Sequence, residues 1–374
     1  MIVGILRERK TDEYRVAMTP DGVEVMKRHG HTILVERSAG TASGFEDADY
    51  ARAGAESVDG SDAAERIFGR SEMIVRVKEP QPFEYRFLRP DQIYFAYLHL
   101  VTSEALTRAL IRAGSVNIAY ETVQRTNGSL PLLTPMSEVA GAMAIQEGAK
   151  YLEMAQGGQG VLLGGVPGVD PGTVLILGGG VVGTHAAKTA CGFGAKVYIL
   201  DVNLERLRYL SDIMPPSCFV LMSSPATIRE LLPRADIVVG AALVPGGRSP
   251  ILITRAMVAT MKKGAVLVDV SIDQGGCCET SRETTNPAPT YLVDGVVHYA
   301  VSNMPGALPR TSTIALTNAT LPYALQIADK GWQRAMQENA EIRCGANVVR
   351  GKVTYQGVAD AFHLDFTPID ALLA

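Results

Sequence analysis

The stretch from residue 174 to residue 201 constrains this chain more than any other. Val174-Leu175-Ile176-Leu177 runs into Gly178-Gly179-Gly180-Val181-Val182-Gly183, and Lys196-Val197-Tyr198-Ile199-Leu200 closes on Asp201, 18 residues after the last glycine. A short apolar strand, a G-x-G-x-x-G turn, a helix and a second strand ending on a carboxylate form the fingerprint of a dinucleotide site. Gly178 lets the chain turn tightly out of the strand, Gly180 lets backbone N–H groups approach a pyrophosphate, and Gly183 lets the helix lie close to the sheet. The helix start, with Val182 in its first turn, faces the phosphates with partial positive charge. Asp201 can accept hydrogen bonds from both ribose hydroxyls and repels a 2′-phosphate, so NAD is favoured over NADP. Arg206, one helical turn further on, is a cation that could draw such a phosphate.

At 374 residues the chain exceeds one comfortable core, so two domains are expected. The dinucleotide unit begins in mid-chain, and the residues on either side of it are therefore expected to share the other domain. The expected fold is α/β with two doubly wound domains: a central Rossmann NAD-binding domain, 132–309, and a discontinuous substrate domain, 1–131 with 310–374. The two crossings would make a hinge. In the first third, strands are expected at Ile2–Leu6, Ile33–Val35, Met73–Val77, Ile93–Leu98 and Val116–Tyr120. One helix opens at Pro20 and closes at Gly30, and another runs from Ser103 to Ala113. A longer helical pattern from Ser137 to Gln156 leads into a glycine-dense, close-packed loop. Five or six further strands follow up to about Ser302, and Arg310–Trp332 reads as one long amphipathic segment.

A net charge of −4 with 20 % charged residues gives no reason to expect nucleic acid or an anionic membrane as partner. The apolar amino terminus meets Arg7 too soon for a signal peptide, and every later apolar run is broken before the roughly 18 residues a membrane helix needs, so a soluble cytoplasmic protein is expected. Five cysteines without a C-x-x-C pair suggest neither a disulfide framework nor a zinc site, and Cys277 and Cys278 read as buried free thiols. No metal is expected.

Open α/β sheets place ligands at the carboxyl ends of their strands. Four polar residues stand there: Arg15 after the first strand, Lys78 after Met73–Val77, His99 after Ile93–Leu98, and Asp273 after Val266–Ser271. A hydride-transferring enzyme acting on a hydroxy or amino acid needs a cation for the carboxylate, which the fork of Arg15 and the point charge of Lys78 supply. It also needs a proton relay near working pH, for which His99 is suited, and often a second acid or base such as Asp273. Each has a plain structural alternative: surface charges for Arg15 and Lys78, a core histidine for His99, a turn cap for Asp273. Asp269 is a rival acid within the same strand.

These segments resemble the bacterial alanine dehydrogenase family. The resemblance runs from Gly4 to about Gly331 through Arg15-Val16-Ala17-Met18-Thr19-Pro20, Val77-Lys78-Glu79-Pro80, Tyr97-Leu98-His99, Leu132 to Gly141, Asp269 to Gly276 and Asn303-Met304-Pro305-Gly306. It implies reversible oxidative deamination of L-alanine by NAD to pyruvate and ammonium, in a homo-hexamer. It also implies that Arg15 and Lys78 bind substrate, that His99 and Asp273 are the acid/base pair, and that Ser137 and Asn303 contact the cofactor or line the cleft. Two departures lie near the Arg15 loop: Leu6-Arg7 where the family often has a proline before Glu8, and Asp12 where asparagine is frequent. The NAD-binding component of a proton-translocating transhydrogenase is similar in the same segments and is the alternative reading.

Overall fold

Apolar runs too continuous for a one-sided sheet become strands buried on both faces, as parallel sheets require. Ile93–Ala96, Ile237–Gly240 and Val266–Asp269 are buried at every position. The computed structural model describes residues 1–242 and 249–373. Its strands begin with β1 (Ile2–Ile5), β2 (Thr32–Glu36), β3 (Glu56–Val58), β4 (Met73–Val75), β5 (Ile93–Ala96) and β6 (Val116–Ala119). Then come β7 (Thr173–Leu177), β8 (Lys196–Asp201), β9 (Cys218–Met222), β10 (Ile237–Gly240), β11 (Val266–Asp269), β12 (Thr290–Val293) and β13 (Val296–Tyr299). The last are β14 (Ala346–Val349) and β15 (Lys352–Val353).

The chain divides into two compact units, residues 1–136 with 306–374, and residues 137–305. The first holds a sheet of order β15-β14-β6-β5-β4-β1-β2-β3, the second a sheet of order β12-β13-β11-β10-β7-β8-β9. Among the described strands only the pairs β12–β13, β14–β15 and β14–β6 are antiparallel. Without β12, β14 and β15 each sheet has the strand order 3-2-1-4-5-6 of a doubly wound nucleotide-binding fold. The order reverses between β1 and β4 in one unit and between β7 and β10 in the other, and such reversals open crevices at the carboxyl ends of the strands. In the first unit Leu6, Phe68, Tyr94 and Leu110 share a core with Val348 and Val358, so the C-terminal segment completes what the N-terminal segment begins.

The doubling extends to one hydrogen bond. Ile5 pairs with Val35 and Leu177 with Leu200, and the next residue on each second strand is an acid. Glu36 Oε2 accepts from the Arg7 N–H at 2.9 Å, and Asp201 Oδ2 accepts from the Gly179 N–H at 2.7 Å. Each donor lies two residues beyond its first strand.

Two expectations are corrected. The second unit's sheet has seven strands rather than five or six. The edge strand β9 leaves Phe219, Leu221 and Met222 exposed, so its pattern is not that of a buried strand. The pair β12–β13 turns on Asp294-Gly295, with φ of 50° and 81°, the two positive values that a tight hairpin loop requires. The long segment near 310–332 is a helix, Pro309–Lys330, that ends before Gly331, and a separate helix starts at Trp332. It buries one face, but the first half of that face carries Ser312, Thr313, Thr317 and Thr320 around Leu316 rather than an unbroken apolar stripe. Among the described residues no helix is long and apolar enough to cross a membrane.

Candidate active site

In the first unit the loop after β1 carries Arg15, and the turn after β4 carries Lys78, on the two strands that flank the reversal of order. The Arg15 loop is pinned by the hydroxyl face of the Pro309–Lys330 helix: Thr313 Oγ1 accepts from the Val16 N–H at 3.1 Å and Thr317 Oγ1 from the Thr19 N–H at 3.2 Å. Asp12 takes a φ of 58°, a conformation that Asp and Asn both tolerate, which accounts for their exchange at this position.

Arg15 is not a surface charge. It is 2 % exposed, with Nε donating to Glu13 Oε1 at 2.6 Å, Nη2 to Glu13 Oε2, and Nη1 standing 2.9 Å from Met136 Sδ. Lys78 is buried as well, with its ammonium 5.9 Å from the centre of the Tyr97 ring. Burial, and next the charge of Arg15, push Lys78 below its ordinary pKa.

The turn before Lys78 rests on a buried ion network. Arg76 Nη1 donates to both oxygens of Glu84 at 2.9 and 2.8 Å, and Nη2 donates to Glu8 Oε2 at 3.2 Å. Glu8 Oε1 in turn accepts from the Val77 N–H at 2.7 Å, fixing the backbone next to Lys78.

His99 follows β5 in the left-handed region, at a φ of 46°. Glu121 holds it there, because Oε1 accepts from the His99 N–H at 2.6 Å and from the Leu98 N–H at 3.2 Å. The imidazole stacks on Tyr97 at 6.0 Å between ring centres, and Nδ1 lies 4.0 Å from Glu121 Oε1. Its side chain keeps 44 % of its surface open, so it is not a satisfied core histidine. Crowding by the protein lowers its pKa, the Glu121 carboxylate opposes that shift, and the Lys78 charge adds to it.

In the second unit the glycines divide their work. Gly178 has a φ of 111°, and a Cβ on Gly183 would stand 1.8 Å from Gly178 O, so the helix Val181–Gly192 could not close on the turn with any side chain there. A Cβ on Gly180 would meet nothing within 4 Å. Gly141 matches this closeness from another helix, since its Cβ would fall 2.2 Å from Val182 O. Asp201 Oδ1 also accepts from the Asn203 N–H at 2.8 Å. Arg206 is engaged at the same glycine turn. Its Nε donates to Gly179 O at 2.6 Å and its Nη2 to Thr184 Oγ1 at 2.7 Å, so it braces the glycine turn.

Asp273 is exposed on the short helical turn Val270–Gln274 after β11, and its Oδ1 accepts from the Asn303 N–H at 3.3 Å. Asn303 itself takes a φ of 54°. The rival acid Asp269 is fully buried and accepts from Ser271, Cys277, Cys278 and Ser281, which makes it a hub for the following loop. Cys277 and Cys278 are buried free thiols. Ser137 is half-buried near the start of the helix Thr134–Tyr151.

Comparison with known proteins decides the family. Residues 4–140 match the model of the alanine dehydrogenase/PNT N-terminal domain, and residues 144–356 match that of the alanine dehydrogenase/PNT C-terminal domain. The chain belongs to the alanine dehydrogenase/PNT family. It is 52 % identical to an alanine dehydrogenase of Methanococcus maripaludis and 50 % identical to one of Staphylococcus saprophyticus, over the whole length of both proteins in each case. A solved L-alanine dehydrogenase aligns with a TM-score of 0.93 at 48 % identity, covering 97 % of this chain and 99 % of that one. A transhydrogenase from Sinorhizobium meliloti shares the fold at a TM-score of 0.81 and 23 % identity, over 95 % and 99 % of the two chains.

Within this alanine dehydrogenase/PNT chain, sequence reasoning overlooked Glu13, Glu121 and Met136. Glu13 had a local signal, an acid two residues before an arginine in a loop. The other two reach their partners only through the fold.

Proposed function

We propose that the chain is an alanine dehydrogenase that catalyses the reversible, NAD-dependent oxidative deamination of L-alanine to pyruvate and ammonium. The observation that carries this reading is the burial of two cations, Arg15 and Lys78, next to an imidazole of lowered pKa, in a chain with full-length alanine dehydrogenase relatives. Buried charge is costly unless paired, and a substrate carboxylate would add a counter-charge beside Lys78 and the Arg15–Glu13 pair. Arg15 Nη1, which stands against the weak thioether acceptor of Met136, would turn to a substrate carboxylate oxygen, while Glu13 keeps the guanidinium plane fixed. Lys78 adds positive charge at the keto oxygen of pyruvate.

The glycine turn fits a dinucleotide: Gly180 leaves space where any side chain would project, and Asp201 ends the second strand as a ribose acceptor. When bound there, NAD supplies the hydride acceptor. Gly178, Gly180, Val182, Gly183 and Asp201 would hold it, with Arg206 acting through the turn it braces, and with Ser137 and Asn303 lining the nicotinamide end. His99, neutral at neutral pH, accepts a proton from the amino group, and Asp273 manages the second proton when water enters or ammonia leaves. The same reading places the enzyme in the cytoplasm as a homo-hexamer, which light scattering on the purified protein tests.

The deciding experiment offers a panel of amino acids with NAD at alkaline pH and follows NADH. L-Alanine is expected to be the preferred donor. NADH formation from no amino acid, together with hydride exchange between nicotinamide nucleotides, would leave the transhydrogenase alternative standing. Two variants probe the halves of the site. Arg15→Lys replaces a fork with a point charge and is expected to raise KM for alanine and pyruvate by about tenfold or more, measured with NAD and NADH saturating. Asp201→Ala is expected to lower kcat/KM with NAD by about tenfold to a hundredfold, because a charge-assisted acceptor is lost. Since Arg206 is already engaged with Gly179 and Thr184, NADP gains little, and the preference narrows rather than reverses.

A further inference from the structure

Two of the five cysteines meet in the second unit. Cys191 lies in the last turn of the helix Val181–Gly192, and Cys218 opens the edge strand β9. The fold brings both to the start of β8. Gly194, at a φ of 87°, turns the chain out of the helix with its N–H on Cys191 O at 2.9 Å, and the Ala195 N–H closes on Ala190 O at 3.1 Å just before β8 begins. From the other side Val197 of β8 pairs with Cys218 and donates its N–H to Ser217 O at 3.0 Å. The two side chains are in hydrogen-bond contact: the Cys218 thiol and the Ser217 hydroxyl both donate to the Cys191 sulfur. Each cysteine is only half-buried, and Gly192, Phe193, Ser217 and Phe219 next to them in the chain are exposed. Two donors aimed at one sulfur favour its thiolate, the nucleophilic form. The Cys218 contact draws Cys191 down to about 7 against the opposing effect of burial, with help from Ser217. The same contact pushes Cys218 up, so it stays the protonated partner.

We propose that Cys191 and Cys218 form a reversible redox modification site, in which Cys191 attacks a small disulfide of the glutathione type and Cys218 resolves the product. The inference goes beyond the alanine dehydrogenase reading and holds whichever substrate the enzyme takes. In the first step the Cys191 thiolate forms a bond to one sulfur of the small disulfide, whose S–S bond breaks, and a thiolate leaves. In the second, Cys218 gives its proton to solvent and attacks the Cys191 sulfur, expelling the other half of the reagent as a thiolate. Two protein thiols are oxidised to one disulfide, and the reagent is reduced to two thiols. The new bond ties the end of the helix that starts at the glycine turn to β9, the strand whose last residue, Met222, pairs with Asp201. Cys277 and Cys278 are buried, whereas Cys344 is the exposed cysteine of the five.

The test uses full-length protein carrying Cys344→Ser, reduced and then incubated with oxidised glutathione at neutral pH, quenched in acid and mapped by peptide mass spectrometry. A peptide pair joined through Cys191 and Cys218 is expected, with a protein mass lower by two hydrogens and full reversal by dithiothreitol. Adding Cys218→Ser is expected to stop the reaction at glutathione attached to Cys191. In the reduced parent, iodoacetamide at pH 7 is expected to alkylate Cys191 at least about tenfold faster than Cys218. Adding Cys191→Ser is expected to slow the capture of glutathione by Cys218 by at least about tenfold relative to capture by Cys191. A parent that keeps glutathione on Cys191 without closing the pair overturns the resolving role of Cys218. Faster alkylation of Cys218, or no reaction at either cysteine, overturns the site altogether. If a serine variant does not fold, the joined peptides and the alkylation rates of the parent decide alone.

Discussion

His99→Ala is expected to lower kcat by at least about 10²-fold in both directions, the share that general acid/base catalysis contributes, while NADH affinity stays close to wild type. The imidazole has its pKa lowered, first by the crowding around it and then by the Lys78 charge, with Glu121 opposing. It is therefore biased toward the neutral acceptor form, and the acid limb of the wild-type deamination rate should lie below the ordinary imidazole pKa. The variant should lose that acid limb as well as the rate. A pH profile of kcat/KM for alanine reads both. Asp273→Asn is expected to have a similar effect on kcat, and an Asp273→Asn enzyme with wild-type turnover removes Asp273 from the proton pathway.

Arg76→Met is expected to cost the largest amount of stability of any single change considered, about 3–5 kcal/mol, because it leaves two carboxylates buried without their cation. Glu8 and Glu84 each have side chains no more than 1 % exposed, and burial already raises the Glu8 carboxyl above its ordinary range. Urea unfolding followed by circular dichroism measures the loss. Adding Glu8→Gln and Glu84→Gln to Arg76→Met should recover part of it, since the remaining groups are then neutral. Recovery of stability without recovery of the pyruvate KM would separate the two duties of the network, because Glu8 also fixes the Val77 amide beside Lys78.

Much of this was legible in the sequence because the decisive features are local. The glycines, Asp201 and the strand that ends on it follow one another within 28 residues, and Lys78 and His99 each stand just past an apolar run, with Arg15 further along the loop after the first strand. What escaped depends on separations that no local pattern encodes. Glu121 lies 22 residues from the amide it holds, and Thr313 is 297 residues from the Val16 amide that it anchors. The threonine face of the Pro309–Lys330 helix was unreadable for a related reason: Thr313 and Thr317 are buried hydroxyls serving the backbone of a remote loop, so burial and hydrophobicity part company there. A cation near the acid that ends the second strand can be spent on the turn itself, as Arg206 is, and sequence spacing does not separate that use from binding.

The matched hydrogen bonds of Glu36 and Asp201 carry a consequence for how cofactor preference can change. Glu36 grips the amide beyond β1 although Leu6 and Arg7 stand where a phosphate-binding loop would need glycines. Latching the first strand's exit to the second strand's end is thus a duty of that acid in its own right, and the nucleotide selection proposed for Asp201 is superimposed upon it. One carboxylate answers to two masters: any substitution that retunes the ribose end also slackens the latch, so a lineage or an engineer shifting this enzyme toward a phosphorylated cofactor must first supply another anchor for the Gly179 amide.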